Sequence, residues 1–415
     1  MSASAAYPSW TASEHRQARP GSAPQPLLSA VMIVRDEAAF LPECLESLDG
    51  VVDEVVVVDT GSTDNTPDIA AAYGARVYHE TWRDDFSRAR NQALDRARGE
   101  WILYIDADER LVGAERSNVE RLLVDAEEVA FRILLQPTLN ATPYREFRLW
   151  RNDPRIRFKG VIHEKVIPSI YEVAASDGRT IGFADLLLVH LGYEGDQTRK
   201  HHRNLPLLQR EIEAEPSNLF VRHHLARVLV GLGDREGAEK VLLDAIEFAR
   251  SHGWADHKAS LVCVELVRLW ESEGRSITAL LEESRAAFPD NCVLLWIDAR
   301  TSVARGDFRR AISLLDQLLA TDWTYQRDFG PAYDRRLVCE LPNEVKGLCH
   351  FRLGEYEAAQ DCYRRAAACA PENPAYEVKA NLAASRARVS TVLGSSKAVH
   401  DPQFALLATS NVGGA

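Results

Sequence analysis

The 415-residue sequence contains no apolar run near the roughly 20 residues that a membrane-crossing helix requires. It has no excess of basic residues either. The formal net charge is -12, which argues against broad electrostatic binding to nucleic acid or anionic lipid. Its seven cysteines form no CxxC pair, and six of them follow residue 260, so zinc and dithiol redox motifs are unsupported. They read as reduced, mostly buried thiols. No GxGxxG loop follows a strand, which leaves a nicotinamide dinucleotide without its phosphate cradle. The first 26 residues are rich in Ala, Ser and Pro but carry Glu14, His15 and Arg16 where a signal peptide needs an apolar stretch. They read as a disordered tail, and the absence of export signals points to the cytoplasm.

What is present is ordinary globular composition, 46% hydrophobic and 27% charged, in a chain long enough for two or three domains. Its character changes near residue 200. Before that point apolar runs (27–34, 51–59, 101–105) alternate with helical patterns such as FLPECLESL, whose Leu41, Leu45 and Leu48 share one face. Thr66 reads as a helix cap before Pro67, and FSRARNQALDRARGE as a helix ending at Gly99. Strand–helix alternation with near-continuous apolar strands implies a mostly parallel α/β sheet, Rossmann-like, covered by helices. VAFRILLQ, FRLWR, RFKGVIHEKVI and ADLLLVHLGY add strands and loops. After residue 200 the pattern is nearly all helix. LGDREGA, ARGDFRRA and LGEYEAA recur, with Gly at 233, 274, 306 and 354 and small residues Ala226, Ala299 and Gly347 about seven positions earlier. This resembles degenerate tetratricopeptide repeats, which bind partners or dimerise. The expected domains are a tail (1–26), the α/β domain (27–200), an all-α repeat domain (201–395) and a C-terminal tail (396–415).

The candidate chemistry lies in the α/β half. Asp59 ends a fully apolar strand ahead of a Gly turn, at the carboxyl edge where parallel sheets bind ligands, and could accept hydrogen bonds from a nucleobase or ribose. WILYIDADER carries Asp106 and Asp108 two residues apart, which on an extended chain face one side. Two such carboxylates suit a divalent cation, Mn²⁺ or Mg²⁺, that shares its shell with substrate phosphates. Arg88, Arg90 and Asn91 stand in the first turns of a helix, where guanidinium groups and the helix terminus favour phosphate. Seven Lys or Arg residues crowd 145–165, an island suited to donor phosphate or an anionic acceptor.

MIVRDE, VVVVDTGSTDNT, FSRARNQAL and YIDADE, in that order, resemble family 2 glycosyltransferases of the GT-A fold over about residues 28–200. The resemblance extends to a bacterial subgroup that fuses such a domain to tetratricopeptide repeats. That subgroup includes lipopolysaccharide-core glucosyltransferases and bacteriocin S-glycosyltransferases of antibiotic biosynthesis. It implies an inverting hexosyltransferase that uses a nucleotide-diphosphate sugar, UDP-hexose by default or a GDP-sugar, and a divalent cation. Val34, Arg35 and Glu37 would line the nucleotide pocket, Asp59 would meet the base or ribose, and Asp106, Ala107 and Asp108 would serve the diphosphate and metal. The family's downstream Glu-Asp base motif is missing here. The pair His163-Glu164 is the candidate for the base, with Asp85 as an alternative, and His190 the candidate third metal ligand. The acceptor is a hydroxyl or a thiol on a glycan, peptide or small molecule, and the repeats offer a surface for a homodimer. Two other readings compete: a repeat scaffold with an inactive transferase domain, and a nucleotidyltransferase. The intact aspartates oppose the first. The Gly-free VRDEAAF after the first strand opposes the second.

Overall fold

The computed structural model describes residues 25–192 and 197–393. Both expected tails, but for residues 25 and 26, lie outside that range. The described chain forms two compact units, one running to Ala245 with Gln326–Ala332 added, the other comprising Ile246–Tyr325 and the chain from Tyr333 on. No described helix is long and apolar enough to cross a membrane.

The first unit is built on an eight-stranded mixed sheet in the order β3-β2-β1-β4-β7-β6-β8-β5. Its elements run β1 (Leu28–Val34), α1 (Leu41–Leu48), β2 (Glu54–Asp59), α2 (Thr66–Ala72), β3 (Arg76–His79), α3 (Phe86–Arg96), β4 (Trp101–Tyr104), β5 (Glu109–Val112), α4 (Arg116–Leu123), β6 (Ala130–Gln136), β7 (Tyr144–Arg151), α5 (Ile167–Asp177), β8 (Ile181–His190), α6 (Thr198–Ala214) and α7 (Leu219–Gly231). β1, β2, β3 and β4 are mutually parallel. β7 pairs antiparallel with β4 and with β6, and β6 runs parallel to β8. This is the mostly parallel, helix-covered α/β sheet that the strand–helix alternation implies, extended by antiparallel strands. Every residue of β2 is buried, because its two faces feed separate cores: Val55 and Val57 on one side, Val56 and Val58 on the other.

Three local expectations fail for physical reasons. Thr66 does not cap α2; Asn65 holds the cap position, and the Thr66 hydroxyl instead accepts the Glu37 N–H at 2.8 Å. α3 stops at Arg96, and Gly99 lets the chain close on β1, where a Cβ would stand 2.6 Å from the Ser29 nitrogen. RFKGVIHEKVI, one of the segments expected to add strands and loops, is a loop pinched by one bridge, Lys159 to Lys165, before α5 begins at Ile167. The cysteines are not all reduced. Cys339 and Cys369 are joined, with 6.2 Å between their Cα atoms, while Cys44, Cys263, Cys292, Cys349 and Cys362 are free and buried.

The remaining helices are α8 (Arg235–Ser251), α9 (Ala259–Ser272), α10 (Thr278–Ala287), α11 (Cys292–Ala304), α12 (Phe308–Leu319), α13 (Trp323–Phe329), α14 (Glu340–Arg352), α15 (Tyr356–Cys369) and α16 (Ala375–Leu393). α11 packs on α12 and α14 on α15 as helical hairpins. The pairing of α14 with α15 brings the two bonded cysteines together, since one precedes α14 and the other ends α15. Gly354 turns the chain between these helices at φ 78°. Gly347 sits where the helices touch, and a Cβ there would meet the Tyr363 ring at 2.8 Å.

Candidate active site

The ends of β1 and β2 emerge side by side because the two strands are paired in register up to Val34 and Asp59. Their loops are then laced together. The Asp36 N–H donates to the Ser62 hydroxyl at 2.9 Å, the Thr63 N–H to the Asp36 carboxylate at 2.7 Å, and the Ala38 N–H to Asp64 at 3.2 Å. Asp36 takes positive φ to do this, and the backbone N–H of Thr63, followed by Arg199, pulls its pKa down to about 2. So GSTDNT is largely a scaffold for the loop carrying Arg35 and Glu37. Val34 is buried, and its carbonyl accepts from both the N–H and the hydroxyl of Thr60. Arg35 is exposed. Asp59, only 4% exposed, accepts the N–H groups of Gly61 at 3.3 Å and Ser62 at 3.1 Å and lies 3.3 Å from His79 Nδ1. Part of its hydrogen-bonding capacity is therefore spent on the turn.

The DADE segment is not extended. β4 ends at Tyr104, and Asp106 to Glu109 form a tight turn closed by the Glu109 N–H on the Asp106 carbonyl at 3.0 Å. Asp106 and Asp108 consequently take different partners. Asp106 accepts from Arg90 Nη1 at 2.9 Å and the Tyr104 hydroxyl at 3.2 Å. Burial opposes its ionisation, but Arg90 and Arg148 win and hold its pKa at about 2. Asp108 lies 3.3 Å from His190 Nε2 at the end of β8 and 3.8 Å from Lys200 Nζ. Burial works against protonating His190, yet Asp108 raises its pKa. Gly192 allows this closeness, for a Cβ there would collide with the Asp108 carboxylate. Ala107 is buried between the two acids.

Beneath the turn lies an ionic framework. The Glu109 carboxylate accepts the Asp106 N–H at 2.9 Å and the Arg148 guanidinium at 3.0 Å. The Tyr104 ring is flanked by the guanidinium carbons of Arg90 and Arg148, each 4.3 Å from its centroid. Arg90 also binds Glu164, so Glu164 reaches the acidic turn through one shared guanidinium.

His163 does not accompany its neighbour. It adopts φ 51° and stacks on His224 of α7 at 3.8 Å between ring centroids. Burial lowers its pKa to about 4. Asn91 points away from the turn and braces the following loop, exchanging hydrogen bonds with the Phe158 backbone at 2.9 and 3.0 Å. Asp85 caps α3 by accepting the Arg88 N–H at 2.8 Å. The exposed Arg88 side chain lines a separate groove with Thr60, Trp82 and Asp85.

Among the described residues no group of three His, Cys, Asp or Glu side chains is arranged as a ready metal cage. The donor set still fits a hard cation that completes its shell with substrate oxygens, because Asp108 and His190 stand together beside a concentration of negative charge. Burial, then the nearby Asp108, pushes the Glu37 carboxyl up to about 7.

The basic island of 145–165 is not one surface. Strand geometry scatters it into separate ion pairs: Arg145 with Asp185 and Asp328, Arg151 with Glu100, Arg155 with Asp153 and Asp177, and Arg157 with Asp95. From this strand Arg148 reaches the acidic turn, 3.7 Å from Asp106. Two cations at the end of the expected α/β domain that the sequence reading did not single out, Arg199 and Lys200, also sit at the site: Arg199 pairs with Asp36 and Lys200 lies near Asp108. The basic TRKHHR that follows β8 was the signal for them.

Residues 29–113 match the model for glycosyl transferase family 2. The matched segment lies wholly within the first unit. Residues 345–373, spanning the hairpin of α14 and α15, match a tetratricopeptide repeat. A tetratricopeptide-repeat protein of Synechococcus elongatus is 37% identical over 230 residues, covering 54% of this chain and 57% of that one. The prophage-derived glycosyltransferase SunS of Bacillus subtilis is 27% identical over 202 residues, 46% of this chain and 47% of its own. The lipopolysaccharide core biosynthesis glycosyltransferase LpsC of Rhizobium meliloti is 32% identical over 176 residues, 39% of this chain and 64% of its own. The chain thus spans less than two thirds of each of these relatives. Within the segment that matches family 2 fall Val34, Glu37, Asp59, Arg90, Asp106 and Asp108. His163, Glu164 and His190 lie beyond the matched segment.

Proposed function

We propose that the protein is an inverting, metal-dependent glycosyltransferase. It transfers a hexose from a nucleoside-diphosphate sugar, UDP-hexose by default or a GDP-sugar, to a hydroxyl or thiol acceptor. One observation carries this reading: a family 2 domain presents the Asp106–Asp108 turn beside the carboxyl edge of its parallel strands, with His190 against Asp108. In this reading Glu37 and the buried Asp59 face the nucleoside, and Asp108 with His190 holds a divalent cation, Mn²⁺ or Mg²⁺. When bound, the cation neutralises charge on the leaving diphosphate. Asp106 is oriented by Arg90 and Glu109. Glu164 removes the acceptor proton, and its place beside Arg90 supports it over His163, which is turned toward α7. A thiol acceptor, a stronger acid than a hydroxyl, asks less of that base, so S-glycosylation of a peptide fits the missing Glu-Asp motif. The proposed setting is the cytoplasm. The functional α/β domain is taken as 27–200, with the helical repeats serving a partner or a second copy.

The test is a panel of UDP-, GDP- and dTDP-sugars, with and without Mn²⁺, read by release of the nucleoside diphosphate and by mass spectrometry of products on hydroxyl and thiol acceptors. Cation-dependent release from one donor is expected. No release from any donor, with no thermal shift on adding nucleotide, would overturn the reading.

A further inference from the structure

Helix α6 follows the sheet and lies outside the segment that matches family 2. Its residues 200, 203 and 207 fall at i, i+3 and i+7, one stripe of the helix. The stripe changes character along its length. Leu207 is 1% exposed and packs in an apolar cluster with Ile162, Val221, Leu225 and Val228. That cluster anchors the helix. The start of the stripe brings Lys200 to the acidic turn, with Arg203 following beside Phe86.

Lys200 Nζ stands 3.8 Å from Asp108 Oδ2 and donates to the Gly192 carbonyl at 3.2 Å. Its side chain is still 43% exposed, open to a ligand. The Arg203 guanidinium lies 5.1 Å from the Phe86 ring centroid, and its charge acts on both Glu37 and Glu164. Among the described residues it closes no ion pair of its own. One cation, lightly held, therefore stands at the carboxylate that would hold the metal, and a second without an ion pair lies one turn on, within electrostatic reach of Glu37 and Glu164. The site must accept a ligand carrying several negative charges, and its own acids would repel it. Guanidinium and ammonium groups on a rigid helix supply the missing attraction.

We propose that Lys200 and Arg203 form a cationic arm that binds the diphosphate of the nucleotide donor. This inference rests on the nucleoside-diphosphate-sugar reading above. It makes α6 part of the donor site and not a repeat helix. In the free protein Lys200 acts as counter-charge to Asp108, and the incoming diphosphate draws it away from that carboxylate.

The experiment uses the full chain and titration calorimetry with UDP (or GDP or dTDP if one binds tighter), the matching monophosphate, and MnCl₂ alone. Lys200→Met and Arg203→Gln should each raise the Kd for the diphosphate with Mn²⁺ by about tenfold, the size of one charge-assisted hydrogen bond. The monophosphate should weaken much less, and Lys200→Arg should retain diphosphate binding. Mn²⁺ alone should bind Lys200→Met no more weakly than wild type, because a cation competing for Asp108 has gone. A purely structural Lys200 would instead weaken Mn²⁺ and both nucleotides together, and that result overturns the inference, as does an unchanged diphosphate Kd. Wild-type protein that binds no nucleoside diphosphate overturns the donor reading, and this one with it.

Discussion

The sheet unit buries many charges, whereas in the helical unit Asp298 is the buried acid among the described residues and alanine fills much of the packing. Asp59, Asp108, Glu109, Arg145 and Arg148 are all below 10% exposed in the first. In the second, the α14–α15–α16 interfaces are filled by Ala359, Ala366, Ala380 and Ala383. Small side chains let helices approach at little desolvation penalty, whereas each buried ion costs several kcal/mol unless it is paired. A fold tolerates that expense where an ionic arrangement has a task, so the contrast locates the chemistry. It also separates two kinds of substitution: those that disarm the site and those that merely loosen packing.

The largest expected effect is on activity. Asp108→Asn keeps the shape of the turn but removes the carboxylate beside His190. Donor turnover with Mn²⁺ should fall on the order of 100-fold or more, as when a single electrostatic stabiliser is lost from an active site. The thermal midpoint should change little. Full turnover in this variant would show that the buried charge of the sheet unit is structural, and the contrast between the units would lose its functional meaning.

The next effect is on stability. Arg148→Met strands Glu109, which is 1% exposed, without its guanidinium. A broken buried pair costs about 3–5 kcal/mol, seen as a lower denaturant midpoint. Removing both partners in Arg148→Met/Glu109→Leu should recover most of that loss but not the activity, because Asp106 loses the carboxylate that fixes its N–H. In the helical unit the matching test is steric. Gly347→Val drives a side chain into Tyr363 and should cost about 1–3 kcal/mol. A larger loss there than at Arg148 would invert the comparison.

Much of this was legible in the sequence. Period-two and period-3.6 patterns located the strands and helices around Val55–Val58 and Leu41–Leu48, since burial on one or two faces leaves a local signature. The carboxylates at strand ends marked the site, because a charge directly after a fully apolar strand lies at a sheet edge. What the sequence hid was set by contacts distant along the chain. Nothing local to Glu109 announces Arg148, 39 residues on. Nothing local to Lys200 announces Asp108. Asn91 and Arg90 are neighbours, yet one braces a loop and the other joins two acids, because a helix turns adjacent side chains about 100° apart. His163 and Glu164 part company through one positive φ, which no pattern of residue types predicts.

The smallest effect is the pH dependence of the loop that presents Glu164. His163 and His224 stack, with His223 at 5.1 Å from His224, and Lys165 and Arg227 are the other charges acting on this cluster. Burial is the main reason their pKa values fall, from 6.5 to about 4 for His163 and about 2 for His224, followed by repulsion among the imidazoles and cations. The folded protein therefore refuses protons that the unfolded chain takes up below pH 6.5. The stability this pair contributes is undiminished above that value and declines as pH drops from 6.5 toward about 4. The carboxylates held near 2, such as Asp36, contribute to acid loss only from the ordinary carboxylate range downward, at the lower end of that window. Glu37, whose carboxyl is pushed up to about 7, takes up its proton in the folded state first and contributes the opposite slope. The thermal midpoint should thus fall more steeply, or rise less, from pH 7 to 5 in wild type than in His163→Gln/His224→Gln, which keeps polar side chains but cannot titrate. An identical slope in the double variant would place the proton uptake elsewhere and leave this histidine stack a packing feature, like the small-residue contacts of the helical unit.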